Sequence, residues 1–201
     1  GEMGGLSAWM MRAQWSLGHG LMIFAMWTVM MAAMMLPALV PALLLYGGIA
    51  RSDAAGGPAA LRVNLFALGY LGAWAGFSAL ATLLQWQLWE RGLLTMMMEL
   101  SDARLVAAVM VVAGVYQWTP LKDGCLSACR SPAGFISENW RRGRSGAALL
   151  GLHYGLFCLG CCWALMLLLF CTGVMHLGFI VGLSLMVVME KTVSWGRGAS
   201  R

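Results

Sequence analysis

The sequence predicts an all-α protein, a polytopic bundle of about five transmembrane helices, and three observations support this. Of its 201 residues, 61% are hydrophobic and 10% are charged, whereas an average soluble domain has about 25% charged residues. Several apolar runs exceed the roughly 18 residues that a bilayer-spanning helix requires. Tryptophans stand next to such runs, as at Trp86 and Trp89, which is typical of aromatic belts at membrane surfaces. We therefore expect a single transmembrane domain over 1–201.

The N-terminal half predicts an interfacial segment and two spans. Segment 4–16 has two tryptophans around a single arginine, which suits a segment that lies at the membrane interface. The first span covers 21–49, and we expect Pro37 and Pro41 to kink or unwind its later part. A glycine-rich loop then leads to the second span, 62–88.

The C-terminal half predicts three further spans and one polar loop. The third span, 105–118, is short, which implies little tilt or local thinning of the bilayer. The longest polar segment, 119–145, is predicted to be a loop. The charge-free run that follows would reach about 66 Å as one helix, so we divide it at Thr172-Gly173 into spans 147–171 and 174–189. A sixth span is expected if a further segment precedes the sequence.

The distribution of basic residues predicts the orientation of the bundle. With five crossings, three basic side chains fall on one side of the membrane and ten on the other. Such an excess marks the cytoplasmic side, and it places the 119–145 loop and the C-terminus there. The pI of about 9.1 then reflects attraction to lipid headgroups. The expected partner is therefore the lipid bilayer, and no nucleic-acid binding is expected.

One stretch of the fourth span concentrates cysteine. On a helix, Cys158, Cys161 and Cys162 share one face about 100° wide. Gly151 and Gly155 lie on the same face and would let another helix approach closely. Three thiols that converge within lipid are either small packing residues or ligands of a soft metal. Thiolate and thioether sulfur select Cu(I), while thiolate with imidazole also suits Zn(II).

Other sulfur and imidazole groups are predicted to reach the same layer of the bilayer. At a rise of about 1.5 Å per residue, Met26 and Met30 descend from the outer side to the depth of Cys161 and Cys162. His176 lies just inside the outer boundary. These side chains predict a copper site in the outer half of the membrane, with zinc as the alternative metal. For the methionines, a packing stripe remains the other interpretation.

Two further features lie at the predicted cytoplasmic side. Cys125 and Cys129 stand beside Arg130, and this pair could accept or donate a metal there or consist of reduced, inert thiols. Glu190 closes the fifth span and is a functional candidate, because charge within lipid is costly. Its neighbour Lys191 equally offers it an interfacial salt bridge.

Five strings of residues carry a family resemblance. They are Met31-Ala-Ala-Met-Met-Leu-Pro37, Tyr116 to Pro132 with its Pro-Leu-Lys and Cys-Leu-Ser-Ala-Cys-Arg, Gly155 to Met166 with its Cys-Leu-Gly-Cys-Cys-Trp, Gly173-Val-Met175, and Glu190-Lys191. They resemble a bacterial family of predicted metal-binding integral membrane proteins, a domain of unknown function. The family usually has asparagine after Gly-Val-Met, where this chain has His176. The resemblance covers nearly the whole chain and implies a metal-binding protein of the bacterial inner membrane.

The residues and the resemblance together predict copper handling, either as transport or as metallation of a membrane enzyme. A larger membrane complex or a metalloenzyme is the expected protein partner. The sequence has no Walker motif, so ATP-driven pumping by this chain alone is not expected, and we predict no catalytic residues. Two alternatives stay open. One is a non-catalytic accessory subunit of a larger membrane complex, and the other is a membrane thiol oxidoreductase that uses Cys158 and Cys161 with a quinone.

Overall fold

The described part of the chain is helical, which confirms the all-α prediction for these residues. The computed structural model describes residues 16–53, 57–94, 100–172 and 177–192. Apart from Ser16, the predicted interfacial segment lies outside the described residues. In chain order the helices are α1 (Leu17–Ser52), α2 (Ala59–Glu90), α3 (Ala103–Tyr116), α4 (Pro120–Arg130), α5 (Pro132–Glu138), α6 (Gly143–Leu167), α7 (Leu169–Thr172) and α8 (Leu177–Thr192).

Three helical segments in the described part of the chain are long and apolar enough to cross a membrane. They are α1, α2 and the unit that α6 forms with α7. Helices α3 and α4 meet the same criteria only as a pair, which is bent by 63°. Large apolar side chains are exposed on the outside of the bundle, among them Val29, Leu68, Val111, Leu156 and Leu185. The described helices thus form a bundle with an apolar exterior, and the number of spans stays a prediction.

Helix α1 begins at a capped N-terminus and continues through both of its prolines. The Ser16 hydroxyl accepts a hydrogen bond from the His19 N–H (3.2 Å), which satisfies one of the free donors of the first turn. The sequence predicts a kink or unwinding at Pro37 and Pro41, but the helix runs without a break past both. Both prolines lie on the exposed side of α1, so their missing N–H groups leave the packed side of the helix intact.

Helices α1 and α2 form a hairpin, and hydrogen bonds and an ion pair between polar side chains stabilise it at both ends. Near one end, the Trp27 indole Nε1 donates to Gln85 Oε1 (2.7 Å). At the other end, the buried Arg62 guanidinium pairs with Asp53 (2.9 Å) and donates to the Ala50 carbonyl. Each bond joins one helix to the other, or α2 to the turn between them, and so fixes how the two helices are aligned along their length.

Helices α2 and α6 form the most extensive helix pair in the bundle, and glycines allow it. A Cβ atom built on Gly69 would overlap the Ala148 carbonyl, and one built on Gly151 would overlap the Phe66 carbonyl. Gly155 faces α2 in the same way. Small residues let helix backbones approach closely where apolar burial alone does not drive association. The prediction that Gly151 and Gly155 permit a close helix contact is confirmed, and the partner is α2.

The segment 119–145, predicted to be a loop, contains helices α4 and α5. The Thr119 hydroxyl caps α4 by accepting from the Lys122 N–H (3.4 Å), and Pro120 occupies the first helical position, where a missing N–H costs nothing. One face of α4 is buried and consists of Lys122, Leu126 and Cys129. This face packs against α6, while α8 packs against both α1 and α4. The segment is therefore part of the packed bundle.

Candidate metal site

The three cysteines of α6 are buried together, each about 1% exposed. The Cys161 thiol donates to the Cys158 carbonyl (3.0 Å), and its sulfur lies 3.2 Å from the Cys162 sulfur. A thiol hydrogen-bonded to a carbonyl one turn earlier is compatible with the helix, so α6 keeps its regular backbone here. The shared face that the sequence predicts for these cysteines is confirmed as a buried face.

A fourth cysteine reaches the same cluster from α4. The buried Cys129 thiol lies close enough to Cys158 and Cys161 to interact with both. The Tyr154 hydroxyl donates to the Cys129 carbonyl (3.4 Å) and so holds α4 against α6. We call Cys129, Cys158, Cys161 and Cys162 the cysteine cluster. Two helices build this cluster, although 29 residues separate Cys129 from Cys158 in the sequence.

Cys125 lies beside the cluster rather than in it. Its sulfur packs against the backbone of α6, where a Cβ built on Gly160 would be 2.7 Å away. It is half-buried, whereas the cluster is closed off. The sequence placed Cys125 and Cys129 in a loop at the mouth of the bundle, remote from the three cysteines of the fourth span. The structure differs because α4 folds against the middle of α6. One of the two cysteines thus joins the cluster and the other adjoins it.

Two polar side chains contact the sulfur of Cys158. The Lys191 ammonium of α8 donates to this sulfur (2.8 Å), and the Tyr70 hydroxyl of α2 lies 3.0 Å from it. The same hydroxyl is 3.4 Å from the Met35 carbonyl of α1. The ammonium thus places a positive charge directly beside the cluster. Three helices, α2, α6 and α8, therefore meet at one sulfur atom, and the Tyr70 hydroxyl connects α1 to them.

A separate ion pair lies next to these contacts. The Lys122 ammonium is 2.8 and 2.9 Å from the two carboxylate oxygens of Glu190, and it also donates to the side chain of Gln117. Arg130 donates to the Glu190 carbonyl (2.8 Å). The sequence offered Lys191 as the salt-bridge partner of Glu190, but the structure gives that place to Lys122. The ammonium of Lys191 instead donates a hydrogen bond to the Cys158 sulfur of the cluster.

The remaining predicted ligands are not brought to the cluster by the described geometry. Met26 and Met30 are half-buried and pack on the rim of the core. The methionines on the buried face of α1 are Met31, Met34 and Met35. The predicted depth was derived from helix rise alone, which does not say which side of α1 faces the neighbouring helices. His176 lies outside the described residues.

Sequence reasoning missed Tyr70, Lys122 and Lys191 as residues of the site. Two of them stand in strings that carry the family resemblance, Pro-Leu-Lys and Glu-Lys, which was the available signal. Their partners are 68 and 33 residues away along the chain. Tyr70 lies in an apolar span with no neighbouring chemistry in the sequence to single it out.

The chemistry of the cluster fits a soft metal ion. In the described part of the chain, no group of three or more Cys, His, Asp or Glu side chains has the geometry of an assembled metal centre. The sulfurs touch one another instead, and the 3.2 Å separation of Cys161 and Cys162 is shorter than that of two thiolates on one metal. With metal–sulfur bonds of about 2.3 Å, such sulfurs would lie roughly 0.5 Å farther apart. The thiols are therefore not arranged around a metal in this structure, but sulfur donors are of the kind that suits Cu(I) and also Zn(II).

Comparison with known proteins gives one match. A family model described as "PpoB2: Copper chaperone" matches residues 24–201, which includes most of α1 and all of α2 to α8. No curated protein and no solved structure matches the chain.

Proposed function

The chain belongs to the PpoB2 copper chaperone family, and from this premise we propose that it is an integral membrane copper chaperone. It binds Cu(I) at the cysteine cluster and passes the ion to a membrane metalloenzyme or complex. The observation that carries the proposal is the meeting of four thiols from α4 and α6 in a closed, apolar environment. Sulfur ligands without water suit Cu(I) better than any harder cation.

The membrane placement rests on length, composition and surface. Three helical segments of the described chain are long enough and apolar enough to span a bilayer, and the large apolar side chains on their outer sides would otherwise face water. Ten of the thirteen basic residues fall on one side under a five-span topology, which favours the bacterial inner membrane with the C-terminus in the cytoplasm.

The arrangement of the thiols supports delivery of the ion. Ions move between sulfur ligands by exchange, in which a new thiol binds before an old one leaves. Cys129 and Cys161 lie inside the cluster, whereas Cys125 is half-buried beside Gly160. Cys125 therefore provides a thiol between the closed cluster and the surface, which is the position a handoff ligand requires. The predicted handoff role of the pair thus passes to Cys125, and Cys129 becomes a cluster ligand.

The test compares copper content in matched cysteine variants. The detergent-purified protein, loaded anaerobically with Cu(I) and desalted, should retain about one ion per chain. The triple variant Cys158→Ser, Cys161→Ser, Cys162→Ser should lose nearly all of it. Cys171→Ser is the matched control, because this half-buried cysteine on α7 lies outside the cluster, and it should load as the wild type does.

Elemental analysis and helical circular dichroism decide the outcome. Equal copper in the triple variant and the wild type would remove the proposed site. A wild type that retains no copper, with normal assembly of the triple variant into a larger complex, would favour the accessory-subunit alternative. A folded triple variant without copper supports the proposal.

A further inference from the structure

The ammonium of Lys191 is placed where it would act on an ion bound at the cluster. Lys191 approaches from the end of α8 and ends 2.8 Å from the Cys158 sulfur. A metal–thiolate bond is about 2.3 Å long. An ion held by Cys158 would therefore lie within about 5 Å of the ammonium, and Lys191 is itself only partly exposed.

Lys191 and the neighbouring cation, Lys122, differ in the acceptor that each ammonium faces. Lys122 is buried, and its ammonium is neutralised by the Glu190 carboxylate at 2.8 and 2.9 Å. The acceptor that faces Lys191 is the cluster sulfur itself. The field of Lys191 therefore falls on the cluster, whereas that of Lys122 is largely cancelled at short range.

We infer that Lys191 is a specificity-determining residue that makes the cluster select monovalent Cu(I) over divalent ions such as Zn(II). This inference rests on the proposed function. For one and the same set of sulfur ligands, replacing Cu(I) with Zn(II) adds one positive charge near the ammonium. Two unit charges at about 5 Å, with the effective dielectric constant of about 20 that suits protein sites, repel each other enough to change the ratio of affinities by at least about 200-fold.

The inference also explains why a lysine is tolerated in an apolar layer. A bis-thiolate complex of Cu(I) carries one negative charge, and the single ammonium of Lys191 balances it. Charges buried in pairs avoid most of the cost of an isolated ion. Without copper, the Cys158 sulfur accepts a hydrogen bond from the ammonium.

The experiment measures two affinities on each purified variant. Cu(I) affinity is measured anaerobically by competition with a chromogenic Cu(I) chelator, and Zn(II) affinity with a chromogenic Zn(II) chelator. Lys191→Met removes the charge, Lys191→Gln keeps a neutral donor, and Lys191→Arg keeps the charge. The matched control is the double variant Arg62→Met, Asp53→Asn, which removes an ion pair of zero net charge between α2 and the turn that precedes it.

Lys191→Met and Lys191→Gln should each lower the Cu(I)-to-Zn(II) affinity ratio by at least about 200-fold. Lys191→Arg and the double control should change that ratio only by a small factor. The ratio is insensitive to partial loss of folded protein, because both affinities refer to the same sample, and the glutamine variant supports the test if the methionine variant fails to fold. An unchanged ratio in a neutral variant, with Cu(I) still bound by the wild type, overturns this inference alone. A wild type that binds no Cu(I) overturns the proposed function as well.

Discussion

Replacing Gly69 with alanine should destabilise the bundle, whereas the same change at Gly72 on the same helix should not. A Cβ at Gly69 would overlap the Ala148 carbonyl and lie 2.8 Å from the Leu152 nitrogen. Both atoms belong to the backbone of α6, so no side-chain rotation relieves the overlap and the two helices must separate. A Cβ at Gly72 meets no heavy atom within 4 Å.

The size of the effect follows from the distance that the helices must move. Ordinary contact begins at 3.4 Å, so α2 and α6 must separate by at least about 0.6 Å along this direction, and a close-packed interior resists such a shift. Overpacking of this kind costs about 1–3 kcal/mol. An alanine at an exposed helical glycine gains about 0.5–1 kcal/mol. The free energies of unfolding of Gly69→Ala and Gly72→Ala should therefore differ by about 2–3 kcal/mol.

The same separation should weaken copper binding. Gly69 precedes Tyr70, whose hydroxyl lies 3.0 Å from the Cys158 sulfur, so moving α2 away from α6 lengthens this contact. Unfolding in mixed micelles, followed by circular dichroism, gives the stabilities, and chelator competition gives the Cu(I) affinities. Gly76→Ala is a second control, because a Cβ there also meets nothing within 4 Å. Equal stabilities for Gly69→Ala and the two controls would refute the close-contact argument.

Three further substitutions test individual contacts. Tyr70→Phe removes the hydroxyl at the cluster and should cost about 1 kcal/mol of stability, with a several-fold loss of Cu(I) affinity that chelator competition would detect; unchanged affinity would contradict the contact. Glu190→Gln leaves the buried Lys122 ammonium without its carboxylate and should cost about 3 kcal/mol, most of which Lys122→Met should restore in a double-mutant cycle. Gly160→Ala should displace the Cys125 thiol but leave stability and copper content nearly unchanged. It should slow the release of Cu(I) to an added thiol chelator, measured by stopped-flow absorbance. An unchanged release rate would argue against Cys125 as the handoff thiol.

The sequence predicts well those features of the fold that depend only on the periodicity of a single helix. In α6 the spacing of Cys158, Cys161 and Cys162 defines a face without reference to any other segment, and the structure buries that face. Gly151 and Gly155 mark the close contact for the same reason. The partner helix, α2, could not be predicted, because the sequence of α6 does not indicate which helix packs against it.

The polar segment shows where single-sequence reasoning fails. Charged residues made 119–145 resemble a solvated loop, yet Lys122 is 3% exposed because Glu190, 68 residues later, neutralises it. Burial of a charge depends on a partner, and long-range partners are not visible in local composition. The methionines of α1 illustrate a related limit, and their role as ligands stays a prediction. Helix rise sets the depth of Met26 and Met30, but packing by other helices decides which side is buried.

The end of α8 explains how a cluster drawn from two helices is held together. Successive residues of a helix point about 100° apart, and here Glu190 reaches Lys122 of α4 while Lys191 reaches Cys158 of α6. The C-terminal end of α8 thus contacts both helices that supply thiols, α4 and α6. The position of Cys129 relative to Cys158 depends on these two contacts. A helix that carries no cysteine of its own therefore sets the geometry of the cluster.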